Sequence, residues 1–483
     1  MQPMISRLAA PAAGLILSAC ATVGPDFRAS DVPQPAGYTM AGDTSTPGLT
    51  LTSDTRVAGP WWQVFGSPQL DATVREALAN SPSVAEARAN LEKAQAQLSA
   101  TQGAAAPQIA GDAGYQRERI NLQAFGFNSL PGGIVLNNPT IDLFSVGATV
   151  SYDLDLFGGR RRAVEADRAR VDQKAREADA AYLSLTGQVV LEAMRIATLR
   201  SQLAAIDEIV AEDQRLLDMV RKAHDAGGEA RAAVPGGLAQ LADDQALAPP
   251  LQKQLTASRH KLALLVGRSP AAWSAPDFDL ATLSSAAQIP VSLPSALVRQ
   301  RPDILAAEAE LHAATASIGV AVANQYPDIR LSGAFTQSSV TPADLFKYAV
   351  SGWNIGPGVS VPIFNGGRLK AERKVAEAEA RAALARYQQT VLRAFVQVSD
   401  VLSALGEDQN SIAALQRSVD ASAANARNAQ NAYRLGGTAL VNVITAQRTY
   451  SRSRRALLQA QGLRFADLVE LYTATAADWR TVS

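Results

Sequence analysis

The sequence predicts an α+β membrane protein in which each chain contributes four β-strands and two long helical hairpins. Three observations lead to this fold class: an internal duplication, paired segments that alternate between apolar and polar residues, and long proline-free helical runs. At 483 residues the chain exceeds one ordinary domain. Its 45 basic and 45 acidic residues balance, so the composition gives no reason to expect nucleic acid as a partner.

The duplication relates residues 81–109 to residues 301–329 in register without a gap. Eight of the 29 aligned positions are identical, including the two prolines that frame each copy. Each copy begins with a proline where a helix can start, continues as an alanine-rich helical stretch, and ends at a second proline followed by alternating residues. We therefore predict a first repeat at 61–293 and a second at 294–483, each with a helix, two strands and a long helical hairpin.

The N-terminal segment is predicted to be a lipoprotein signal peptide covering residues 1–19. It has one basic residue, Arg7, and a short apolar stretch that ends before Cys20, the single cysteine of the chain. A small residue before a cysteine at this point is typical of a bacterial lipobox, in which the cysteine becomes the lipidated N-terminus. An ordinary signal peptide with an incidental cysteine is the alternative. Residues 20–60 are predicted to be a linker rich in proline and glycine.

Four segments alternate between apolar and polar residues, as a β-strand with one apolar face does. Residues 145–157 and 353–364 show the pattern most clearly, and residues 107–117 and 327–337 show it more weakly. About ten residues suit a strand that crosses an outer membrane, with apolar side chains toward lipid and polar ones toward a lumen. A strand of a soluble sandwich would alternate in the same way, so this pattern alone leaves both interpretations open.

The helical runs favour the membrane interpretation. From Arg160 to about Ala226, and from Arg368 to about Leu435, the chain lacks proline and keeps a helical pattern. Each run of about 65 residues would form roughly 100 Å of helix at 1.5 Å per residue. A pair of glycines then turns the chain, and we expect a helix of about 30 to 40 residues to return and form an antiparallel hairpin.

Glycine pairs also mark the points where strand and helix meet. These glycines are Gly158, Gly159, Gly366 and Gly367. Their spacing does not match a Walker or dinucleotide-binding loop, so we interpret them as flexible junctions that redirect the chain. Basic residues follow and oppose the dipole of the helix start, so we expect headgroups of the inner leaflet to contact them. The residues of this hypothesis are Arg160, Arg161, Arg162 and Arg368.

The sequence shows no pattern of an active site or a metal site. The three histidines lie on predicted helices without the spacing or the carboxylate companions of a metal site. They are His224, His260 and His312. We find neither a nucleophile elbow nor a pair of catalytic carboxylates. We therefore expect no enzyme activity, no metal and no cofactor.

Several segments, spread over nearly the whole mature chain, carry a family resemblance. They are VGPDF at 23–27 after the lipobox, WWQVF at 61–65, APPLQKQL followed by LALLVGRSP within 248–270, RPDILAAEAELHAATASIGVA at 301–321, PIFNGGR at 362–368 and YRLGGTALVNVITAQR at 433–448. In order and spacing they resemble the TolC-type outer-membrane efflux factors, specifically the lipoprotein branch named after NodT and OprM.

The resemblance implies a homotrimeric channel-tunnel. Three chains with four transmembrane strands each would share a 12-stranded β-barrel that continues into a long α-helical barrel. It also implies a location in the Gram-negative outer membrane, in contact with its lipid and lipid-anchored, with the helical tunnel in the periplasm. Four strands are too few to close a barrel around a lumen, and an open sheet edge cannot lie in lipid.

The function that the resemblance implies is a passive exit duct for small molecules in a tripartite efflux system. Its partners would be a periplasmic adaptor, also called a membrane fusion protein, and an inner-membrane pump, most often of the resistance-nodulation-division type. A duct for type I protein secretion is one alternative. A periplasmic coiled-coil lipoprotein that only tethers envelope layers is another, although a tether would need no strands.

The resemblance further implies a periplasmic gate at the tip of the second hairpin. The family closes its tunnel with a tyrosine, an aspartate and an arginine joined across helices. Tyr433 and Arg448 match, but Thr445 stands where the aspartate is expected. Val441, Thr445 and Arg448 recur at spacings of four and three, hence on one helix face. The threonine hydroxyl can still accept a hydrogen bond from Arg448, but the contact with a carboxylate is gone, so we expect a weakened closed state. A solvated Arg448 is the alternative.

Overall fold

The computed structural model describes most of the chain. It covers residues 22–28, 37–38, 40, 51–53, 60–121, 129–130, 134–135, 138–228, 230–284, 289–291 and 300–475. The predicted signal peptide and Cys20 lie outside the described residues. Among the described helices, none combines the length and the apolar character needed to cross a membrane.

The four long strands and the long helices follow the predicted order along the chain. The helices are α1 (Pro68–Asn80), α2 (Pro82–Ala105), α3 (Gly159–Asp225), α4 (Ala233–Gln245), α5 (Ala248–Leu265), α6 (Pro302–Ala323), α7 (Arg368–Arg434) and α8 (Leu440–Ala474). The strands are β1 (Leu51–Ser53), β2 (Gln108–Arg119), β3 (Ser129–Leu130), β4 (Ile134–Val135), β5 (Thr140–Asp153), β6 (Ile289–Val291), β7 (Asp328–Ser339) and β8 (Ser351–Ser360). Helix α1 and the short strands β1, β3, β4 and β6 were not predicted.

The chain divides into two compact units, and each unit takes residues from both predicted repeats. The first unit consists of the described residues within 1–30, 92–172 and 308–385, and the second of those within 31–91, 173–307 and 386–483. The four long strands belong to the first unit, and the hairpin tips belong to the second. The boundaries proposed for the two repeats stay a prediction.

The long strands form one antiparallel sheet of four strands in the order β2, β5, β7, β8. Two of these strands come from each predicted repeat, and their positions agree with the four predicted segments except at the ends. β5 stops at Asp153 rather than at residue 157, because Asp155 adopts a left-handed φ of 45° that bends the chain away from the ladder. β8 stops at Ser360, which pairs with Asp328, the first residue of its partner strand β7.

The register of the sheet places apolar residues of all four strands on one face. In one row, Val150 of β5 lies between Ile109 of β2 and Gly333 of β7, and Gly333 lies opposite Ile355 of β8. Directly opposed residues project to the same face, and the next residue along each strand projects to the other. Ser151, beside Val150 in sequence, therefore lies on the opposite face, where it pairs with neighbouring strands in a polar row.

The two longest helices end alike, and both ends were predicted to within two residues. α3 and α7 each contain 67 residues. After each helix a glycine adopts a φ of 76°, at Gly227 and Gly436. The N–H of the second glycine of each pair then donates to a carbonyl five residues earlier, at 2.8 Å in both cases. This hydrogen bond closes a Schellman motif, which explains why both glycine pairs terminate a helix.

The return of the first hairpin differs from the prediction. It consists of two helices, α4 and α5, instead of one helix of 30 to 40 residues. The interruption lies directly before Pro249 and Pro250, which supply no N–H groups and fit best in the first turn of a new helix. Pro235 is accommodated for the same reason in the first turn of α4. α8, the return of the second hairpin, is continuous over 35 residues.

The aromatic segment at 61–65 forms part of the core of the second unit. Trp61, Trp62 and Phe65 are fully buried in a short 3-10 helix. The ring of Trp61 stacks on the ring of Tyr472 with a centroid distance of 5.7 Å, and Phe65 contacts Phe465 at 6.2 Å. Burial of such large rings is a major contribution to the stability of the unit.

Candidate functional sites at the sheet face, the strand–helix junction and the hairpin tip

The apolar face of the sheet is exposed in the single chain. Ile109 is 79% exposed, Trp353 is 73% exposed, and Ile355 and Val359 are also exposed. Exposed apolar surface that continues across four strands is rare on a soluble monomer and marks a contact with lipid or with another protein. The sheet therefore presents an apolar surface that needs an apolar environment.

The strand–helix junction is stabilised by carboxylates at the end of β5. Asp155 accepts hydrogen bonds from the backbone N–H groups of Arg160 at 2.9 Å and Arg161 at 3.0 Å. The Arg160 guanidinium pairs with Asp153, and the Arg161 guanidinium pairs with Asp155. Asp155 thus caps the start of α3, and the two carboxylates offset the unfavourable positive charge there.

The headgroup hypothesis changes for one of the four basic residues. Arg162 is only 4% exposed, so it cannot lie against headgroups, and the prediction for this residue is wrong. Arg160 and Arg161 already have carboxylate partners within the chain, and Arg368 pairs with Glu372 at 2.6 Å. Since these three side chains are at least partly exposed, their contact with headgroups stays a prediction.

Arg162 instead binds the N-terminal segment, residues 22–28. Its guanidinium donates to Asp26 at 2.6 Å, to Glu165 at 2.8 Å and to the backbone carbonyl of Val23 at 3.2 Å. Burial disfavours its charge, but the hydrogen bonds with Asp26 and Glu165 outweigh burial and raise the pKa of Arg162. A buried arginine with a full set of acceptors is a structural anchor.

The N-terminal segment lies against α3 and α6 through further contacts. The Val23 N–H donates to the carbonyl of Phe157 at 3.1 Å, and the ring of Phe27 stacks on His312 at 4.4 Å. Gly24 approaches Gly319 so closely that a Cβ atom on Gly24 would lie 2.5 Å from the Gly319 Cα. Sequence reasoning used VGPDF only as a family motif and missed this attachment, because its partners lie far away in the sequence.

The four junction glycines serve two different purposes. Gly158, Gly366 and Gly367 have backbone φ values of 77°, 61° and 86°, which residues with a side chain rarely adopt. Gly159 is instead limited by space, because its Cβ atom would lie 3.0 Å from the Cβ of Ala323. The predicted redirection of the chain therefore has a conformational basis at three positions and a packing basis at the fourth.

Gly319→Ala is expected to lower the free energy of unfolding by about 1–3 kcal/mol, as overpacking does. Alanine normally favours a helix over glycine by about 1 kcal/mol, but here its Cβ atom would lie 2.7 Å from the Cγ of Arg162. Gly103→Ala in α2 is the control, since nothing lies within 4 Å of its added Cβ. Denaturation followed by circular dichroism should show opposite signs for the two variants; the same sign would contradict the close contact.

The predicted gate residues of α8 share one exposed face. Val441 and Thr445 are exposed, and the Arg448 side chain is half exposed. The Thr445 hydroxyl donates to the backbone carbonyl of Val441 at 2.8 Å. Arg448 does not bind Thr445 as expected but reaches α4 of the first hairpin: its Nε donates to Gln240, and its Nη2 lies 3.6 Å from an Asp243 oxygen. A carboxylate near Arg448 is thus supplied by Asp243.

Tyr433 belongs to the apolar side of the same tip. It packs against a cluster of buried residues from two helices, α3 and α8, rather than lying on the exposed face. The buried members of this cluster are Leu216, Val220, Leu440 and Val443. Sequence reasoning missed Gln240 and Asp243, because Gln240 precedes Arg448 by 208 residues and no local pattern links the two hairpins.

In the described part of the chain, no group of three or more His, Cys, Asp or Glu side chains is arranged to hold a metal ion. The sites of interest are therefore an apolar surface, an anchored N-terminal segment and a polar hairpin tip. The model of the outer membrane efflux protein family matches residues 73–268 and 293–477.

The chain belongs to the outer membrane efflux protein family. Among curated proteins, this family member is 29% identical to the pyoverdine export outer membrane protein OpmQ of Pseudomonas aeruginosa, over 96% of this chain and 97% of OpmQ. It is 26% identical to the probable outer membrane lipoprotein SilC of Salmonella typhimurium, again over 96% and 97% of the two chains.

Solved channel structures share the fold of this family member. The outer-membrane channel OprN superposes with a TM-score of 0.86 at 26% identity, covering 95% of this chain and all of OprN. The open state of the Neisseria gonorrhoeae MtrE outer membrane channel superposes with a TM-score of 0.81 at 27% identity, covering 95% of this chain and 98% of MtrE. The proteins that it resembles are outer-membrane channels rather than enzymes.

Proposed function

We propose that the protein is the outer-membrane exit duct of a tripartite efflux system and conducts small molecules passively from a periplasmic pump complex to the exterior. The observation that carries this proposal is the exposed apolar face of the four-stranded sheet. Rows such as Ala148, Phe335 and Trp353 would face lipid, and the polar rows on the other face would line the lumen. A lipoprotein that only tethers envelope layers would need neither face.

The assembly proposed is a homotrimer. The sheet order leaves β2 and β8 as edge strands, and an open edge cannot lie in lipid. Pairing of β8 in one chain with β2 in the next is a head-to-tail contact that can close a ring. Three chains would then form a 12-stranded barrel, which continues into a barrel built from α3, α7 and their return helices.

The partners proposed are a periplasmic adaptor and an inner-membrane pump of the resistance-nodulation-division type, with Cys20 lipidated as the anchor of the mature chain. The N-terminal segment that follows Cys20 is bound at the strand–helix junction, where a barrel would meet the inner leaflet. Relatives of similar identity are named for a cation efflux system and for pyoverdine export. We infer that the pump, not the duct, selects the cargo.

The periplasmic gate is proposed at the tip of the hairpins, where Tyr433, Val441, Thr445 and Arg448 lie. Its support is the link from Arg448 to α4, which ties the second hairpin to the first through Gln240 and Asp243. In the absence of an aspartate at position 445, Asp243 would supply the charge-assisted contact that keeps the tip closed. Opening would require Arg448 to leave α4.

Arg448→Ala is expected to raise single-channel conductance of purified trimers in planar bilayers. A contact as exposed as this one contributes up to about 1 kcal/mol, so its loss should shift the ratio of open to closed states by up to roughly fivefold. Thr445→Asp should lower conductance, because it adds a carboxylate next to Arg448. Arg452→Ala, an exposed arginine on the same helix, is the matched control.

Two outcomes of this measurement would count against the proposals. Equal conductance of the Arg448→Ala and Arg452→Ala trimers would place the constriction elsewhere. Intact Arg448→Ala trimers that insert into the bilayer and carry no current would contradict the duct itself.

A further inference from the structure

A buried pair of carboxylates lies between α3 and α4. Asp213 of α3 is 3% exposed and Asp244 of α4 is 7% exposed. The two helices pack closely here, since a Cβ atom on Gly237 of α4 would lie 3.0 Å from Leu217 of α3, and Asp244 acts on the pKa of Asp213. Neither oxygen of Asp213 has a hydrogen-bond donor among the described residues when both groups are ionised. The buried amide of Gln240 donates to Asp244 at 2.5 Å.

The charged groups around this pair do not neutralise it. On α3, Glu212 adds negative charge and is itself paired with Arg215 at 2.9 Å. On α4, Asp243 pairs with Arg448 of α8 at 3.6 Å. α7 contributes a neutral group, Gln430, which donates to Glu212 at 2.7 Å. Asp213 and Asp244 therefore face each other without a salt-bridge partner of their own among the described residues.

Two buried carboxylates in contact cannot both ionise without a large cost, so one of them keeps a proton and donates it to the other. Burial, followed by the hydrogen bond and the charge of Asp244, raises the pKa of Asp213 to about 7. The protonated pair is then a hydrogen bond between two helices, whereas the fully ionised pair is a repulsion between them.

We propose that Asp213 and Asp244 form a proton-dependent clasp that holds α4 against α3 and keeps Gln240 in contact with Arg448. Gln240 connects the two parts, since its amide nitrogen donates to Asp244 and its amide oxygen accepts from Arg448. Loss of the shared proton separates α4 from α3 and withdraws Gln240 from Arg448. Any effect of the clasp on conductance rests on the proposed function of Arg448 as a gate residue, whereas the clasp between α3 and α4 does not depend on that function.

The second hairpin contains a related pair. Asp408 of α7 and Asp467 of α8 lie in contact, and one oxygen of Asp408 is buried without a hydrogen-bond partner in the described chain. Burial, followed by the hydrogen bond and the charge of Asp408, raises the pKa of Asp467 to about 7. Each hairpin thus has one carboxylate pair between its outgoing and returning helices.

The direction of the pH effect follows from the raised pKa. When α4 separates from α3, Asp213 regains an ordinary pKa near 3.8. The state with the two helices in contact therefore binds one more proton between about pH 3.8 and about pH 7. The contribution of the clasp is complete below this window, falls as the pH rises through it, and is lost above it. The equilibrium constant for opening should rise by up to about tenfold per pH unit within the window.

Hydrogen exchange of α4 in the full-length protein in detergent tests the clasp, after correction for the intrinsic pH dependence of exchange. In the wild-type protein, the equilibrium constant for separation of α4 from α3 should rise between about pH 4 and about pH 7 and stay constant above about pH 7. Asp213→Asn keeps the shape and can donate to Asp244 but cannot titrate, so this rise should disappear. Asp218 is an exposed acid on α3, the helix that carries Asp213, and the Asp218→Asn variant should keep the wild-type profile.

A wild-type pH profile in Asp213→Asn would overturn the proposal, and so would loss of the profile in Asp218→Asn. Asp244→Asn is the second variant should the first fail to fold, with the same expectation. An infrared band of a protonated carboxyl group near neutral pH that disappears in Asp213→Asn would identify the shared proton independently of channel behaviour. If the clasp is present but Arg448→Ala leaves conductance unchanged, the gate fails while the clasp stands.

Discussion

Phe335→Arg is expected to reduce assembly of the proposed trimer in the outer membrane by roughly two orders of magnitude. Phe335 lies near the middle of β7, in the apolar row between Ala148 and Trp353. An arginine on the lipid side of a barrel costs about 2–4 kcal/mol at the bilayer midplane, and 1.4 kcal/mol corresponds to a factor of about ten. Val150→Arg, closer to the end of its strand, should have the same direction and a smaller effect.

The neighbouring residue provides the matched control. Ala334 lies on the polar face, between Thr149 and Asn354, so Ala334→Arg should assemble at nearly the wild-type level. Phe335→Ala separates the loss of the ring from the introduction of charge. The fraction of trimer that resists detergent until heated measures assembly in all variants. Equal losses for the arginine variants at 334 and 335 would show that the facing assignment is wrong.

Arg162→Ala is expected to detach the N-terminal segment at a cost of about 1.5–3 kcal/mol, the usual contribution of hydrogen bonds to a charged group. The side chain is buried, and its removal takes a donor from the carbonyls of Val23 and Gly24 and leaves Glu165 with His312. Because trypsin cleaves after arginine, the rate of cleavage at Arg28 in native trimers measures how often the segment detaches. That rate should rise by roughly one to two orders of magnitude.

Two further variants define the cause of this effect. Arg161→Ala removes an adjacent arginine that is 52% exposed, and an exposed pair contributes only about 0–1 kcal/mol. Arg162→Lys keeps the positive charge but loses the planar fork that reaches several acceptors, so it should give an intermediate rate. Similar cleavage rates for the two alanine variants would contradict the anchoring role of Arg162.

The sequence by itself determined those features that depend on neighbouring residues. The ends of α3 and α7 follow from glycine pairs in which one residue adopts a positive φ, and four strands follow from an alternation with period two. The early end of β5 also has a local cause, the turn at Asp155. Such preferences act over a few residues, so they can be read without knowing what the chain contacts elsewhere.

Only the tertiary structure decided the partners of the charged residues. Arg162 looked like its exposed neighbours Arg160 and Arg161, but the N-terminal segment covers it and supplies its acceptors. Arg448 was expected to meet Thr445 on its own helix and instead binds α4 of the other hairpin. The energy of a charge depends on burial and on oppositely charged groups within a few ångströms, and folding brings these together from distant parts of the chain.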